Sequence, residues 1–311
     1  MTLERSFFGL QFQGSSVHAG GVVQAPYFPI QVGVQRMWDT FGTMTFFGTR
    51  PPFNFEGLER QCALAERNGS KVLFTFGFSG DRAFPPPQAA LRAGSSNRPD
   101  PAYLERVADA VTDFSRNVSP IHIYELWNEP AIANLYWDGP SMEERVLDHY
   151  LQCAWLDKYL RAKDPGRLIL SPSLNDLLEP TGFDFALRYC RLMRERGPAC
   201  DAIAFHLYVK TPEEVYAHLA HLDLVAHGLE LDYYCTEFNG PWEAFDIMAS
   251  RGIKLVTLNG QQRAPTHPAP PYEDEAQAAR WNAMVHRLTT QGPATPVTKG
   301  KRGCLLAMLP V

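Results

Sequence analysis

Short apolar runs alternate with amphipathic segments along most of the chain. Seven such runs precede residue 240, and each is almost continuously hydrophobic: Phe8–Phe12, Val32–Trp38, Val72–Phe78, Ile121–Trp127, Leu168–Pro172, Ala202–Tyr208 and Leu231–Phe238. Continuous hydrophobicity is typical of parallel strands that are buried on both faces of a sheet. The pattern therefore predicts seven strands of one parallel sheet.

Helix signals fill the intervals between these runs. Asp100 followed by Pro101 forms an N-cap with proline at the first helical position. Ser141–Glu144 and Thr211–Glu214 are capping boxes that open two further helices, and Gly228 stands where the second of these should end. Strand and helix alternating in series indicate an α/β fold with a parallel sheet.

Two architectures fit this order, a doubly wound open sheet and a closed (β/α)8 TIM barrel. The first strand is not followed by a Gly-x-Gly-x-x-Gly motif, which disfavours an open sheet that binds a dinucleotide. Polar side chains also gather at the C-terminal ends of several strands, where barrel enzymes place their chemistry. We therefore expect one (β/α)8 catalytic domain over residues 1–311.

The C-terminal part of the chain departs from this pattern. Residues 261–272 predict a loop, Asp274–Leu288 predicts a helix, and residues 290–303 are rich in Gly, Thr, Pro and Lys. Two segments compete for the eighth strand: Cys304–Val311, which is apolar but short, and Ile253–Leu258. We interpret residues 263–311 as an atypical tail that is truncated or divergent.

Composition narrows the function classes. Hydrophobic residues make up 45% of the chain, and the net charge of -5 disfavours a nucleic-acid partner. The chain contains no apolar run of 18 residues, so we expect no membrane span, and no Cys-x-x-Cys or His-x-x-x-His spacing predicts a metal or another cofactor. The N-terminal residues do not resemble a secretory leader, which predicts a cytoplasmic protein, or a secreted or periplasmic one if a leader has been removed.

Two glutamates stand at the ends of apolar runs. Glu129 follows the fourth run in the sequence Trp-Asn-Glu-Pro, in which Pro130 stops the strand and holds the glutamate at the rim. Glu237 ends the seventh run. Because the ends of strands 4 and 7 face each other across a barrel mouth, the two carboxyls could lie about 5–5.5 Å apart, as in retaining glycosidases. The alternative for each is a solvated rim residue or an ion-pair partner.

Six other side chains are candidates for substrate binding: Arg36, Trp38, Asn128, His206, Tyr208 and Trp242. Arg36 ends the second strand, where its guanidinium can keep a carboxylate ionised through a charge-assisted pair. Strand alternation directs His206 and Tyr208 to the same face, and a tyrosine hydroxyl there can donate to a nucleophilic carboxylate. A buried core histidine is the alternative for His206.

The remaining candidates are suited to contacts with sugar. The Asn128 amide can donate to a sugar hydroxyl, and Trp242, in the loop after the seventh strand, can stack on a sugar face. Core packing is the alternative for Trp38, and an anchor at the start of a helix is the alternative for Trp242.

These motifs resemble the clan A glycoside hydrolases, through Trp127–Pro130 and Thr236–Phe238. Four segments resemble family 39 more narrowly, above all its bacterial enzymes that cut exopolysaccharides internally: Arg36–Asp39, Tyr124–Pro130, Ser171–Ser173 and Ala204–Tyr208. The likeness covers about residues 7–242. It implies retention of configuration, with Glu129 as general acid/base and Glu237 as nucleophile. Such barrels usually carry an aromatic residue on strand 8, and neither candidate for that strand has one.

The function expected from these observations is a retaining O-glycoside hydrolase that acts internally on a β-linked polysaccharide or exopolysaccharide. An exo-β-glycosidase of the β-xylosidase kind has the same chemistry with a closed pocket. A catalytically weak carbohydrate-binding pseudoenzyme is the alternative that the missing aromatic residue suggests. A cofactor-dependent α/β enzyme is disfavoured because no glycine-rich phosphate loop is present.

Overall fold

A computed structural model of the protein describes residues 2–11, 31–37, 56–77, 91–94, 98–131, 139–259 and 275–294. Within these ranges the strands are β1 (Phe8–Gln11), β2 (Val34–Met37), β3 (Lys71–Thr75), β4 (Ile123–Glu125), β5 (Leu168–Leu170), β6 (Ala202–Tyr208), β7 (Asp232–Asn239) and β8 (Leu255–Asn259). The α-helices are α1 (Glu56–Arg67), α2 (Pro101–Asn117), α3 (Met142–Lys163), α4 (Pro180–Arg196), α5 (Pro212–Val225), α6 (Glu243–Ser250) and α7 (Glu275–Thr290).

The eight strands form a closed parallel barrel in sequence order, which confirms the predicted (β/α)8 architecture. The barrel closes where β1 pairs with β8, with Phe8 opposite Val256 and Gln11 opposite Asn259. The eighth strand therefore comes from the Ile253–Leu258 candidate. The assignment of this strand to Cys304–Val311 is wrong, because Leu255–Asn259 pairs with both β7 and β1 and leaves no open edge. Residues 304–311 themselves lie outside the described ranges.

The predicted helix starts carry the expected caps. The Asp100 carboxylate accepts from the Tyr103 amide, and the Ser141 and Thr211 hydroxyls accept from the Glu144 and Glu214 amides. Helix α5 ends at Val225, and Gly228 follows in a left-handed turn (φ +80°). Helix α7 spans Glu275–Thr290, close to the predicted Asp274–Leu288.

The barrel interior is built in layers. Its lower layer is apolar and consists of Val34, Leu73, Ile123, Leu170, Ala202, Ala204 and Leu255. Because side chains alternate along a strand, the residue two positions later points into the barrel one layer higher. On five strands that residue is polar and buried: Arg36, Thr75, Glu125, His206 and Thr257. A charged layer thus lies above an apolar one, at the C-terminal end of the barrel, where TIM-barrel enzymes hold their substrates.

Among the helices that the structure describes, none combines the length and apolar character that crossing a bilayer requires.

Candidate active site

Glu129 lies in the loop after β4, four residues beyond the end of the strand at Glu125. The expectation that the strand continues to Asn-Glu-Pro is therefore wrong. The chain stays beside its neighbours through two hydrogen bonds, from the Asn128 amide to the Phe76 carbonyl and from the Glu129 amide to the Ser173 hydroxyl, both 2.9 Å. Glu129 itself adopts φ +43°, a left-handed conformation that is uncommon outside glycine and cannot continue a strand.

Glu237 lies within β7, where a bulge changes the direction of its side chain. Phe205 of β6 is opposite Cys235, but the next residue, His206, is opposite Glu237, so Thr236 is an extra residue in β7. A bulge of this kind shifts the alternation of side chains by one position. As a result Thr236 and Glu237 both reach the charged layer, whereas Cys235 and Phe238 pack in the core outside the barrel.

The two carboxyls meet at the barrel mouth. One carboxylate oxygen from each glutamate and the His206 imidazole Nδ1 all lie within 4.8 Å of one another. Glu129 is 8% exposed and Glu237 is 4% exposed, so both are buried yet adjoin the surface. Their closest oxygens are thus nearer to each other than the about 6.5–9.5 Å that separates the carboxyls of inverting pairs.

Arg36 joins the strands beneath the two carboxyls. Its Nη1 donates to Glu237 Oε1 at 2.7 Å, while Nε and Nη2 donate to Glu125 Oε2 at 3.0 and 2.8 Å. Nη2 also donates to the Asn128 side-chain oxygen at 2.8 Å. Arg36 therefore faces the barrel interior and reaches Glu237.

His206 and Tyr208 both point into the mouth, as strand alternation predicts. His206 Nδ1 lies 2.6 Å from Glu129 Oε1 and 3.3 Å from Glu237 Oε2. The Tyr208 hydroxyl donates to the same Oε2 of Glu237. Glu237 therefore accepts hydrogen bonds from Arg36 of β2 and Tyr208 of β6. The His206 imidazole lies against both carboxyls, closer to Glu129 than to Glu237.

The environment shifts the pKa values of the two glutamates in opposite directions. Burial raises the pKa of Glu129 above its ordinary value and the nearby charge of Glu237 adds to this, although His206 and Arg36 oppose it. Burial also opposes ionisation of Glu237, but the charges of His206 and Arg36 and the Tyr208 hydrogen bond outweigh it, so the pKa of Glu237 is lowered. One buried carboxyl thus favours its protonated form and its neighbour the ionised form.

The charged layer below is ionised as well. Burial works against the charge of Glu125, yet the charges of Arg36 and His206 and the hydrogen bond from Thr75 lower the pKa of Glu125 to about 2. Burial likewise disfavours the imidazolium, but the charges of Glu237 and Glu129 raise the pKa of His206 to about 9. At neutral pH the layer holds two cations and the carboxylates that balance them.

The two tryptophan candidates are not brought to the carboxyls by the described part of the chain. Trp38 lies outside the described residues. Trp242 stands at the start of α6, where its ring stacks on Phe245 at 5.9 Å, contacts Trp281 of α7 at 6.2 Å and lies under the Arg280 guanidinium at 5.1 Å. These contacts correspond to the helix-start anchor, and sugar stacking by Trp242 has no support in them.

The sequence interpretation missed four residues of this network, Glu125, Thr75, Thr236 and Ser173. Glu125 accepts from the Thr75 hydroxyl at 2.6 Å and from the Thr236 hydroxyl at 2.7 Å. One signal could have found it: a carboxylate inside the apolar run Ile121–Trp127 needs a buried cationic partner. The three hydroxyl residues carry no comparable signal, because serine and threonine are common in strands and turns of every kind.

The donor atoms of Glu129, His206 and Glu237 could also be considered as metal ligands. Zinc ligands lie about 2.0–2.2 Å from the ion, which places donor atoms of a tetrahedral site more than about 3 Å apart. The 2.6 Å between His206 Nδ1 and Glu129 Oε1 is too short for that arrangement and fits a hydrogen bond. The geometry at these residues therefore favours acid–base chemistry.

Comparison with solved structures finds the same barrel fold in other proteins. A psychrophilic glycoside hydrolase family 10 endo-β-1,4-xylanase is similar over 89% of this chain and 95% of its own, with a TM-score of 0.62 and 11% identity. An intracellular xylanase from Thermoanaerobacterium saccharolyticum, in complex with xylotetraose, aligns over 85% and 90% of the two chains (TM-score 0.59, 12% identity). A family 10 protein from Paenibacillus barcinonensis aligns over 82% and 84% (TM-score 0.56, 13% identity).

At these identities the likeness establishes the barrel fold. No protein-family model matches the sequence, and no curated protein matches it significantly.

Proposed function

We propose that the protein is a retaining glycoside hydrolase that cleaves a β-linked polysaccharide internally by double displacement. One observation carries the proposal: two buried carboxyls with oxygens within 4.8 Å of each other, one shifted toward the protonated form and the other toward the ionised form. This is the arrangement that a retaining mechanism requires.

In the first step, Glu129 protonates the glycosidic oxygen as the bond from the anomeric carbon to that oxygen breaks. A carboxylate oxygen of Glu237 attacks the anomeric carbon from the opposite side and forms a glycosyl ester. In the second step, the ionised Glu129 takes a proton from water, the water oxygen attacks the anomeric carbon, and Glu237 leaves as a carboxylate. Two inversions return the original configuration.

The surrounding residues suit these roles. Arg36 and Tyr208 both donate to Glu237, so they keep the nucleophile ionised and stabilise it again when it leaves the sugar. Arg36 also occupies the side-chain oxygen of Asn128. The Asn128 amide nitrogen is then the group that can donate to a sugar hydroxyl.

The substrate class is proposed on two grounds. Two of the solved structures with this fold are described as xylanases, one of them in complex with xylotetraose, so β-1,4-xylan is the first polymer to test. The family 39 resemblance of Arg36–Asp39 and Ala204–Tyr208 favours bacterial exopolysaccharides as the second. Strand β8, Leu255–Asn259, contains no aromatic side chain. For this reason the test must also distinguish a barrel that binds carbohydrate without cleaving it.

The experiment uses the whole chain with a panel of polysaccharides and aryl β-glycosides. We expect new reducing ends, an early fall in polymer viscosity because cleavage is internal, and a first product of β configuration by NMR. The Glu237→Gln variant is the matched control and should release nothing. Release of single terminal sugars would indicate an exo-glycosidase, a first α product would refute retention, and binding without cleavage would indicate a pseudoenzyme.

A further inference from the structure

A third carboxylate, Glu125, lies beneath the two proposed catalytic ones. It is fully buried on β4, and its Oε2 accepts from Arg36 Nε, Arg36 Nη2 and the Thr75 hydroxyl at 2.6–3.0 Å. Its Oε1 accepts from the Thr236 hydroxyl at 2.7 Å and lies 3.6 Å from His206 Nε2. A carboxylate that accepts this many donors keeps its negative charge, and it touches both cations of the layer.

The charges of the buried layer balance only when Glu125 is counted. With Glu129 protonated, the anions are Glu125 and Glu237, and the cations are Arg36 and His206. In the glycosyl-enzyme Glu237 is a neutral ester and Glu129 is ionised, so the sum is again zero. Without Glu125 the layer would carry one unbalanced positive charge throughout the cycle, and such a charge is costly in a buried site.

The two nitrogens of the His206 ring face different charged groups. Glu129 and Glu237 face Nδ1, and both change charge during the proposed cycle. Arg36 and Glu125 face Nε2 at 3.4 and 3.6 Å, and both keep their charge. Two further neighbours add no compensating charge: the Tyr208 ring lies edge-on at 6.5 Å, and burial lowers the pKa of His218, on α5, to about 3.

We propose that Glu125 is a positioning residue that orients Arg36 and His206 and balances their charge, so that Glu129 stays protonated while Glu237 stays ionised. This inference rests on the proposed function and assigns Glu125 no contact with substrate. Replacing Glu125 by glutamine keeps the shape and removes the charge. The unbalanced positive charge should then favour loss of the proton from Glu129 and from His206.

The test measures two quantities on Glu125→Gln. The alkaline limb of the kcat/KM profile, which reports loss of the Glu129 proton, should move to lower pH by about 1 unit or more. The His206 imidazole, followed by NMR with labelled histidine, should also titrate at lower pH. The second measurement needs no turnover, so it tests the role of Glu125 even if the wild type cleaves no glycan and the proposed function fails.

Two variants separate charge from mere structural damage. Glu125→Asp keeps the charge but shortens the side chain, so kcat should fall while the alkaline limb and the His206 titration stay near wild type. Asp164→Asn is the matched control. It removes another buried carboxylate, which accepts from Ser115, Tyr124 and Arg167 on the helix side of the barrel, and it should lower stability without moving the pH profile.

If Glu125→Gln does not fold, Glu125→Ala replaces it. That variant also removes the negative charge, and it should shift the His206 titration to lower pH as well. An unchanged His206 titration in a folded Glu125→Gln or Glu125→Ala protein would overturn the proposal. So would an equal shift in Asp164→Asn.

Discussion

The loop after β4 and the bulged end of β7 each present a buried glutamate to the barrel mouth, but they surround it differently. At β7, Glu237 receives the Arg36 guanidinium and the Tyr208 hydroxyl. After β4, the Glu129 carboxyl lies against His206, while Ser173 holds its backbone amide. Burial alone would raise the pKa of both groups. Glu237 accepts from Arg36 and Tyr208, whereas the described contacts of the Glu129 carboxyl offer it fewer donors. This difference accounts for the opposite shifts of the two pKa values.

The comparison indicates that the two proposed roles depend on the partners of each carboxyl. Glu237 is supported through its side chain, which suits a group that must be charged before and after each cycle. Glu129 is supported mainly through its backbone, in a left-handed conformation that costs about 1–3 kcal/mol in general and persists only where neighbours enforce it. Its carboxyl is then left able to gain and lose a proton.

The largest effect is expected from Glu237→Ala, which removes the proposed nucleophile. No glycosyl-enzyme can then form, so hydrolysis should be undetectable on natural and on activated substrates. Adding azide should give the α-glycosyl azide, because the anion attacks from the vacated side. NMR of the product checks this, and formation of the β-azide by this variant would mean that the roles of the two glutamates are reversed.

Glu129→Ala should have the next largest effect, and one that depends on the leaving group. Losing general acid catalysis should cost about 10²–10⁴-fold on a polysaccharide, whose leaving alcohol needs protonation. An aryl glycoside with a good leaving group should still form the glycosyl-enzyme, which then accumulates because water has lost its base. Azide should restore turnover and give the β-glycosyl azide. Equal losses on both substrates, without azide rescue, would contradict the assignment.

Tyr208→Phe tests the support of Glu237 in isolation. Removing one hydrogen bond to a charged group should cost about 1.5–3 kcal/mol of carboxylate stabilisation, equivalent to about 1–2 pKa units. Because Glu237 must be ionised, activity is lost as pH falls through its pKa, so the acid limb of kcat/KM should move to higher pH. Tyr150→Phe, which breaks a hydroxyl bond to the Gly197 carbonyl away from the mouth, is the control and should leave that limb in place.

Ser173→Ala should have the smallest effect and tests the support of Glu129. It leaves the Glu129 amide without its hydroxyl acceptor, at a cost of about 1–3 kcal/mol. We expect kcat on polysaccharide to fall more than kcat on an activated aryl glycoside, because the general acid is misplaced. Ser115→Ala removes a similar bond from the Ile121 amide in the outer core. Ser115→Ala should lower thermal stability and leave kcat unchanged. If kcat fell in this control as it does in Ser173→Ala, the Ser173 result would not support a specific role in placing Glu129.

Much of the barrel could be predicted from the sequence. Parallel strands buried on both faces must be apolar throughout, and seven such runs separated by capped helices leave few alternatives to a barrel. The eighth strand was ambiguous because two short apolar segments have the same local pattern. Only pairing on both sides of Leu255–Asn259 distinguishes them, and pairing is a long-range property.

The sequence by itself determined which residues could carry chemistry at the mouth. Glutamates at the ends of apolar runs, an arginine on the second run and the alternation of His206 with Tyr208 are all local patterns. Their convergence around two carboxyls required barrel closure, which brings together residues as distant in sequence as Arg36 and Glu237.

The tertiary structure alone decided how each glutamate points. Strict alternation along β7 would turn Glu237 away from the barrel together with Cys235, and the bulge at Thr236 reverses that direction. Glu129 reaches the mouth because its own backbone is left-handed and its amide donates to the hydroxyl of Ser173. Ser173 is far from β4 in sequence. Glu125 has its partners on β2, β3, β6 and β7. Local periodicity cannot encode these features, because a bulge, a strained dihedral and a buried charge are each stabilised by contacts from other strands.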